Sequence, residues 1–427
     1  MLAERIEAVP ATASKHQLAF FRQSGWMMIA TTAGGALMYA VHTIARQMPK
    51  EEYGVFTTLV QIVTLMSIPA VGLQSIFAQQ AAASLNPEHE RELAGVTRSV
   101  LRGTILIWLF MAAAAFLFRD QILAALKISN PAALWMTVVI GLVALWRPVV
   151  QGILQGRQNF PWLGGLLLGD GVGRFAAVCV IVGWLAHYAA GAMVAVFIGS
   201  VVVVGLGGWL CRDCLRGAAP PMAWGRWLRR AAPLTLGMGV GIFMLSADMI
   251  FVQRFFSKEQ TGYYAAAGMI GRALVYFTTP VAAVMFPKLA RSAATGEKSN
   301  ALMLALGLAA LAGGGAALMC SVFPALPLRI VYDQSFLAIS TPLVPWFAWC
   351  MLPLTLATVL LNSLMARSQF QAVPWLVLVA AGYGVTLYFR HESFVQVIQT
   401  LGVFGLLLLA VGAWFTFRRP AATIQEA

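Results

Sequence analysis

Long apolar runs, separated by short polar segments, follow one another along the chain from about residue 24 to its end. Because about 20 apolar residues cross the hydrocarbon core of a bilayer, the runs predict twelve transmembrane helices. The helices are expected near 24–44, 55–78, 101–118, 132–152, 163–185, 188–210, 232–256, 262–286, 301–325, 338–364, 372–389 and 396–417. The polar segment 119–130 is expected to lie along the membrane interface.

Two polar segments of the first half recur in the second half in the same order. Ala45–Phe56 reads ARQMPKEEYGVF, and Gln253–Tyr264 reads QRFFSKEQTGYY about 208 positions later. Leu154–Phe160 (LQGRQNF) is matched in the same way by Leu364–Phe370 (LMARSQF). Internal repetition of this kind indicates a duplicated membrane protein, which is the usual frame of a carrier between two aqueous sides.

The duplication predicts an all-α integral membrane protein of two six-helix lobes. Residues 1–220 are expected to form the N-terminal lobe and residues 221–427 the C-terminal lobe. Gly217–Pro221 (GAAPP) cannot continue a helix and is the expected linker. Since each half has an even number of helices, both enter the membrane from the same side, and a pseudo-twofold axis along the membrane normal should relate them.

Composition and charge fit this prediction. The chain is 60% hydrophobic and 11% charged, whereas soluble domains are typically about 25% charged. About 19 of the 29 Lys and Arg residues lie in the even-numbered loops and the termini, so both termini are expected to be cytoplasmic. A bacterial cytoplasmic membrane location with contacts to membrane lipids explains the net charge of +13 better than nucleic-acid binding does.

The cysteines give no reason to expect a metal or another cofactor. Cys211 and Cys214 form a lone CRDC without a second pair of ligands nearby. The Walker loop and the dinucleotide-binding motif do not occur in their expected contexts.

A few charges inside the predicted helices carry most of the functional information. Each costs roughly 2.5 to 3.5 kcal/mol at the bilayer centre, so it must be paired or face water. Asp170 and Arg174 are four residues apart on helix five, which favours a salt bridge, with a functional role as the alternative. Asp248 and Arg272 lie at similar depth on helices seven and eight. They are expected either to pair structurally or to let Arg272 face a central aqueous cavity and hold a second anion.

Neutral polar residues are open to two interpretations. His42, late in helix one, is a candidate for titration or substrate binding, and simple hydrogen bonding is the alternative. Gln61 and Gln74 on helix two are expected either to line water or to bridge helices.

Three segments resemble the polysaccharide and O-antigen flippases of the multidrug/oligosaccharidyl-lipid/polysaccharide (MOP) superfamily. Ser246–Pro287 has the Asp of helix seven, a GYY turn followed by small residues, and a Phe-Pro end. Ala45–Gly54 is similar to the segment after helix one, and Ile330–Ala366 to the region of helices nine and ten. Twelve helices fit the O-antigen type better than the fourteen-helix lipid II type.

The resemblance implies a function that requires no enzymatic step. Members are thought to move a polyprenyl-diphosphate-linked oligosaccharide to the outer leaflet by alternating access, through a cavity lined chiefly by helices 1, 2, 7 and 8. Arg272 is then the best-placed cation for the diphosphate. Arg22, Arg46 and Arg254 are candidates at the cavity mouths. Coupling to H⁺ or Na⁺ and contacts with other polysaccharide-assembly membrane proteins stay open.

Three other classes fit less well. A cation-coupled multidrug extruder of the same superfamily usually has embedded carboxylates in its cavity, whereas the best cavity candidate here is Arg272. A polysaccharide polymerase or ligase generally needs a large outer loop with catalytic residues, and the odd-numbered loops are short. The loop signature of major-facilitator carriers is missing from Gln79–Val100.

Overall fold

The computed structural model describes residues 11–45, 47–84, 86–185, 188–215, 222–275 and 301–418, without the side chains of residues 11–24, 226, 230 and 301. The first half forms the helices α1 (Ala11–Ala45), α2 (Lys50–Met66), α3 (Ile68–Ala83), α4 (Pro87–Leu117), α5 (Arg119–Ala125), α6 (Pro131–Gly156), α7 (Phe160–Ile181) and α8 (Tyr188–Leu210). The second half forms α9 (Trp224–Phe255), α10 (258–275), α11 (Ala301–Val322), α12 (Ala325–Val331), α13 (Gln334–Ser340), α14 (Leu343–Ala366), α15 (Val373–Phe389) and α16 (Phe394–Phe417).

Within the described residues, 10 helices are long and apolar enough to cross a membrane, or 11 if the bent pair α2 and α3 is counted as one span. The all-α transmembrane fold predicted from the apolar runs is therefore confirmed. The eighth predicted helix is described only as far as residue 275, as α10.

Two of the predicted helices have different bounds in the structure. The single helix expected at 55–78 is α2 and α3, which meet at a bend of 50°. Pro69, in the first turn of α3, causes the bend because its ring lacks an N–H and collides with the carbonyl four residues earlier. The helix expected at 101–118 begins at Pro87, as α4, because hydropathy detects the apolar span and not the polar turns that precede it.

Following the division predicted from the repeat, we call α1–α8 the N-lobe and α9–α16 the C-lobe. In the N-lobe, α6 packs chiefly on α3 and α8, and α7 on α1 and α8. In the C-lobe, α14 packs on α16 and α11, while α9 packs on α15 and α14. The lobes meet where α9 lies along α2 and α3. The expected linker, Gly217–Pro221, lies outside the described residues.

The second repeated segment adopts the same backbone conformation in both lobes. Gln158 after α6 and Ser368 after α14 both have φ 55°. The next residues, Asn159 and Gln369, donate their N–H groups to the carbonyl five residues earlier, at 2.9 and 3.0 Å. The repeat in the sequence is thus also a repeat of local structure. Superposition of the whole lobes by rotation about the membrane normal stays a prediction.

Candidate functional site

In the C-lobe, Asp248 on α9 and Arg272 on α10 form a closed ion pair. The Nη2 atom of Arg272 lies 2.6 and 2.7 Å from the two carboxylate oxygens of Asp248. Arg272 also donates from Nε to the carbonyl of Leu245 at 3.0 Å. The hydroxyl of Tyr264 donates to Asp248 Oδ2 at 2.8 Å. This C-lobe pair, Asp248 and Arg272, is neutral and extensively hydrogen-bonded.

The surroundings of the C-lobe pair exclude water in this conformation. Arg272 is 1% exposed and Asp248 is 0% exposed. A Cβ atom at Gly268 would lie 2.5 Å from Nη1 of Arg272, so this glycine provides the space for the guanidinium. Phe347 packs against the same glycine. In this conformation the Arg272 side chain lies in the packed interior beside Asp248 and Phe347, and the expectation that it faces an aqueous cavity stays a prediction.

In the N-lobe, one carboxylate is shared by two arginines. Asp170 on α7 accepts a hydrogen bond at Oδ1 from Nη2 of Arg174, at 3.2 Å. Arg147 on α6 places Nη1 2.7 Å from Asp170 Oδ2. Sequence reasoning brought Asp170 and Arg174 together but missed Arg147. The signal was present, since Arg147 lies inside the predicted helix 132–152 and is an intramembrane charge like the others.

This N-lobe triad, Arg147, Asp170 and Arg174, is less completely satisfied than the C-lobe pair. Asp170 is 0% exposed, and the Arg147 side chain is 24% exposed. Within the described residues, Nε of Arg174 is buried without a hydrogen-bond partner. Gly199 on α8 makes room for the carboxylate, because a Cβ atom there would lie 2.7 Å from Asp170 Oδ1.

A chain of neutral hydrogen bonds crosses between the lobes near both charge clusters. The Tyr53 hydroxyl on α2 lies 2.9 Å from Nδ1 of His42 on α1 and 2.6 Å from the hydroxyl of Tyr332, which follows α12. His42 lies on α1, which packs on α7, the helix that carries Arg174 of the triad. We call His42, Tyr53 and Tyr332 the interlobe link.

The first repeated segments of the two lobes contact each other directly. A Cβ atom at Gly54 would lie 3.0 Å from the backbone N of Gly262, so the two equivalent glycines permit close approach of α2 and α10. Lys50 lies 2.6 Å from the hydroxyl of Tyr263 and 3.5 Å from Glu259. The Tyr263 hydroxyl donates to Glu259 at 2.8 Å. These five residues form what we call the interlobe seal.

The charges of the seal stabilise one another. The hydrogen bond from Tyr263 and the nearby ammonium of Lys50 lower the pKa of the Glu259 carboxyl. Lys127 of the N-lobe makes a second contact with the C-lobe, because its ammonium donates to the carbonyls of Arg254 and Phe256 at the end of α9. The lobes are thus held together at the end where α1 turns into α2 and α9 into α10.

The other predicted site residues lie apart from the charge clusters or outside the described residues. The Arg254 side chain is exposed, 5.7 Å from the Phe255 ring. Arg22 lies in α1, but its side chain is not among those described, and Arg46 lies outside the described residues. Gln74 bridges helices, since its amide donates to Gln155 Oε1 at 3.1 Å.

Sequence comparison assigns the chain to a family. The family model described as "Polysaccharide biosynthesis protein" matches residues 20–293. No curated protein sequence matches the chain.

Solved structures at 12–13% sequence identity are similar to this chain in fold. A multidrug resistance MATE family transporter of the MOP superfamily, in an inward-facing conformation, has a TM-score of 0.72 at 12% identity, over 90% of this chain and 94% of that one. The lipid II flippase MurJ, inward closed, has a TM-score of 0.71 at 13% identity, over 92% and 87%. A MOP superfamily transporter from Pyrococcus furiosus, whose binding pocket is described as having reverse polarity, has a TM-score of 0.65 at 13% identity, over 94% and 95%. The chain therefore belongs to the polysaccharide biosynthesis protein family and has the fold of MOP superfamily transporters.

Proposed function

We propose that this protein is a flippase that moves a polyprenyl-diphosphate-linked oligosaccharide, an O-antigen or exopolysaccharide repeat unit, from the cytoplasmic to the outer leaflet by alternating access. The observation that carries the proposal is the sign of the embedded charge. The ion pairs inside the described transmembrane helices contain three arginines against two aspartates, a surplus of one positive charge. A surplus of arginine suits a phosphate-bearing substrate and repels a cationic drug.

The distribution of polar and apolar surface supports the same substrate class. A diphosphate needs fixed donors away from the lipid tails, whereas a prenyl chain can stay in the lipid while its head group crosses. Within the described residues, the two carboxylates of these ion pairs, Asp170 and Asp248, lie 2.7 and 2.6 Å from an arginine nitrogen. Neither is therefore left to hold the cation that a multidrug extruder would carry.

The interlobe seal supports alternating access. In the topology predicted from the Lys and Arg count, the seal lies at the outer face of a bacterial cytoplasmic membrane, and both termini are cytoplasmic. The described contacts thus close the outer end, and export requires the seal to open. Arg22 and Arg46 remain candidates at the cytoplasmic and outer mouths of the pathway, and His42 a candidate near it. Coupling to H⁺ or Na⁺ and contacts with other polysaccharide-assembly membrane proteins are further parts of the proposal.

Deletion of the gene in the source bacterium tests the function. We expect the lipid-linked oligosaccharide to accumulate in the inner leaflet, where an impermeant glycosidase added to spheroplasts cannot reach it. Plasmid-borne wild-type protein should restore access. If deletion leaves export intact but raises sensitivity to cationic drugs, the protein is a multidrug extruder and the proposal is wrong.

Topology is tested independently with reporter tags. Tags after Ala427 and within 217–223 should report the cytoplasm, and a tag within 257–260 should report the outside. The opposite pattern would place the seal at the cytoplasmic face.

A further inference from the structure

We propose that the N-lobe triad is the anion site of this transporter, with Arg147 and Arg174 holding a phosphate of the substrate. The site, and not Arg272, is then the point at which a diphosphate is recognised. The assignment of the phosphate to a polyprenyl diphosphate rests on the proposed function, whereas the anion site itself rests on the geometry of the triad.

The first step is the charge balance of the two clusters. In the C-lobe, Arg272 and Asp248 neutralise each other, and both are at most 1% exposed. In the N-lobe, Arg147 and Arg174 share a single carboxylate. One positive charge is therefore uncompensated within the triad, and near the bilayer centre such a charge requires water or an anion beside it.

The second step is the supply of unused donors. A guanidinium offers five N–H donors in a planar fork that matches a phosphate. Nε of Arg174 is buried and has no partner among the described residues. Arg147 contacts Asp170 through one nitrogen, and its contact lacks the alignment of a hydrogen bond. The two side chains together keep enough donors to bind an oxyanion without displacing Asp170.

The third step is access. Arg174 is nearly buried, but the Arg147 side chain is 24% exposed, so the triad opens to the exterior of the packed N-lobe on the Arg147 side. Asp170 lies ten residues from the start of the 22-residue α7, a rise of about 15 Å. A ligand at the triad is thus near mid-membrane, where a substrate must pass in either direction.

The fourth step is the connection between the triad and the interlobe link. Arg174 lies on α7, which packs on α1, the helix that carries His42, and His42 is hydrogen-bonded through Tyr53 to Tyr332 of the other lobe. An anion that neutralises Arg174 changes the field at the first member of the interlobe link. The position of the triad therefore suits recognition of the substrate's charge and not merely helix packing.

The test measures anion binding to the purified full-length protein in detergent micelles by isothermal titration calorimetry. The probes are inorganic pyrophosphate, farnesyl diphosphate, and farnesol as the phosphate-free counterpart. We expect both diphosphates to bind, and R147Q to weaken both by about 10-fold or more, as expected for loss of hydrogen bonds to a charged group. Similar weakening of both probes identifies the phosphate as the recognised group, whereas binding of farnesyl diphosphate alone shows that the lipid tail is also required.

A charge-altering variant separates ligand binding from a purely structural role. D170N removes a negative charge that lies beside the two arginines and repels an incoming anion, so we expect it to bind pyrophosphate more tightly than the wild type. A structural ion pair predicts no such gain. R91Q is the matched control, because Arg91 is an exposed arginine near the start of α4 and is not part of the triad. Its affinity for pyrophosphate should equal that of the wild type.

Unchanged affinity for both diphosphates in R147Q overturns the proposal. R147Q is decisive because Asp170 keeps its partner Arg174, so the variant should remain folded, and its unfolding temperature is measured alongside. The outcome is distinguishable from failure of the proposed function. If R147Q weakens pyrophosphate binding but gene deletion leaves glycolipid export intact, the anion site stands and the flippase assignment falls. If deletion abolishes export but R147Q binds pyrophosphate normally, the flippase assignment stands and the anion site falls.

Discussion

The two lobes place the same residue types inside the membrane but use them differently. In the C-lobe, Arg272 and Asp248 form a one-to-one pair that is closed by a tyrosine hydroxyl and a backbone carbonyl. In the N-lobe, Asp170 serves two arginines, of which Arg147 is partly exposed. An embedded charge is therefore not by itself a sign of a binding site. A structural ion pair has its charge neutralised and its N–H donors already hydrogen-bonded. A binding site has an arginine with excess charge and free donors.

The position of each cluster agrees with this distinction. The C-lobe pair joins α9 to α10, and α9 is the helix that lies along α2 and α3 of the other lobe. The pair therefore stabilises the helix that carries the lobe contact. The N-lobe triad joins α6 to α7 over Gly199 of α8, within one lobe. Its arginines contribute less to lobe contact and are more available to a ligand.

The largest expected effect comes from breaking each cluster at one arginine. R272Q leaves Asp248 buried and uncompensated, and we expect the free energy of unfolding to fall by about 3 to 5 kcal/mol. R147Q leaves Asp170 paired with Arg174, and we expect a loss of about 1 kcal/mol or less because Arg147 is partly exposed. Unfolding of both variants in detergent micelles measures the difference.

A double variant serves as the control for this prediction. D248N/R272Q removes both charges of the C-lobe pair, so it should be less destabilised than either D248N or R272Q alone. Equal destabilisation by R272Q and R147Q would mean that the two clusters are equivalent, and the comparison would fail.

The fold could largely be predicted from the sequence, because about 20 apolar residues are needed for each crossing wherever they occur. The positions at which helices begin and end were harder to predict from the sequence. The bend between α2 and α3 depends on a single proline, Pro69, inside an apolar run that otherwise reads as one helix. The start of α4 at Pro87 lies among charged residues that hydropathy assigns to a loop.

The site was harder to predict because it depends on which helices face each other. Asp248 and Arg272 were inferred to meet from their similar distance to one turn. Arg147 lies 23 positions before Asp170 in the chain, and no local spacing connects α6 with α7. Whether an arginine is covered, as Arg272 is by Phe347, depends on a helix far away in sequence. For this reason the sequence favoured Arg272 as the substrate residue, while the structure draws attention to the triad.

The next effect compares the two glycines that accommodate the clusters. In G199A, the new Cβ atom meets Asp170 Oδ1 at 2.7 Å and the Asp170 carbonyl oxygen at 2.8 Å. In G268A, it meets Nη1 of Arg272 at 2.5 Å. We expect each variant to lose about 1 to 3 kcal/mol of stability through overpacking. Because only G199A disturbs the triad, only G199A should also change the affinity for pyrophosphate in calorimetry.

The glycine comparison has its own control. G35A adds the same methyl group to α1 at a position where no atom of the described residues beyond its own helix lies within 4 Å of the new Cβ. Its pyrophosphate affinity should equal that of the wild type, and its stability should be equal or higher by up to about 1 kcal/mol, because Ala favours a helix more than Gly does. A change of pyrophosphate affinity in G268A equal to that in G199A would indicate that the C-lobe pair also takes part in anion binding.

A smaller effect is expected from the interlobe link. Y53F removes the hydroxyl that joins His42 to Tyr332, and the loss of these buried hydrogen bonds should cost about 1 to 2 kcal/mol. Y264F removes a hydrogen bond to the buried carboxylate of Asp248 within the C-lobe and should cost about 1.5 to 3 kcal/mol. Thermal unfolding measures both, and export assays separate them, because only Y53F acts across the lobes. Equal export by Y53F and Y264F at equal expression would contradict a role for the link between the lobes.

The smallest effect concerns the charged part of the interlobe seal. Glu259 accepts a hydrogen bond from Tyr263 and pairs with Lys50, and both contacts lower the pKa of its carboxyl. A lowered carboxyl pKa gives stability that is present above the ordinary value of 4.5 and is lost as the pH falls through the lowered pKa. The seal should therefore be unchanged between about pH 8 and pH 5 and should loosen only in stronger acid.

Spin labels at the exposed positions Gln47 and Ser257, one on each side of the seal, allow this loosening to be followed by pulsed electron resonance. We expect one narrow distance distribution from pH 8 to pH 5, broadening below that range. E259Q should show modest broadening already at pH 7, because an exposed ion pair contributes little and two glycines still hold α2 against α10. Its repeat counterpart E51Q is the matched control, since Glu51 makes no ion pair within the described residues. Broadening in E51Q equal to that in E259Q would show that the acidic residues act through the general field at this end of the molecule and not through the Lys50 contact.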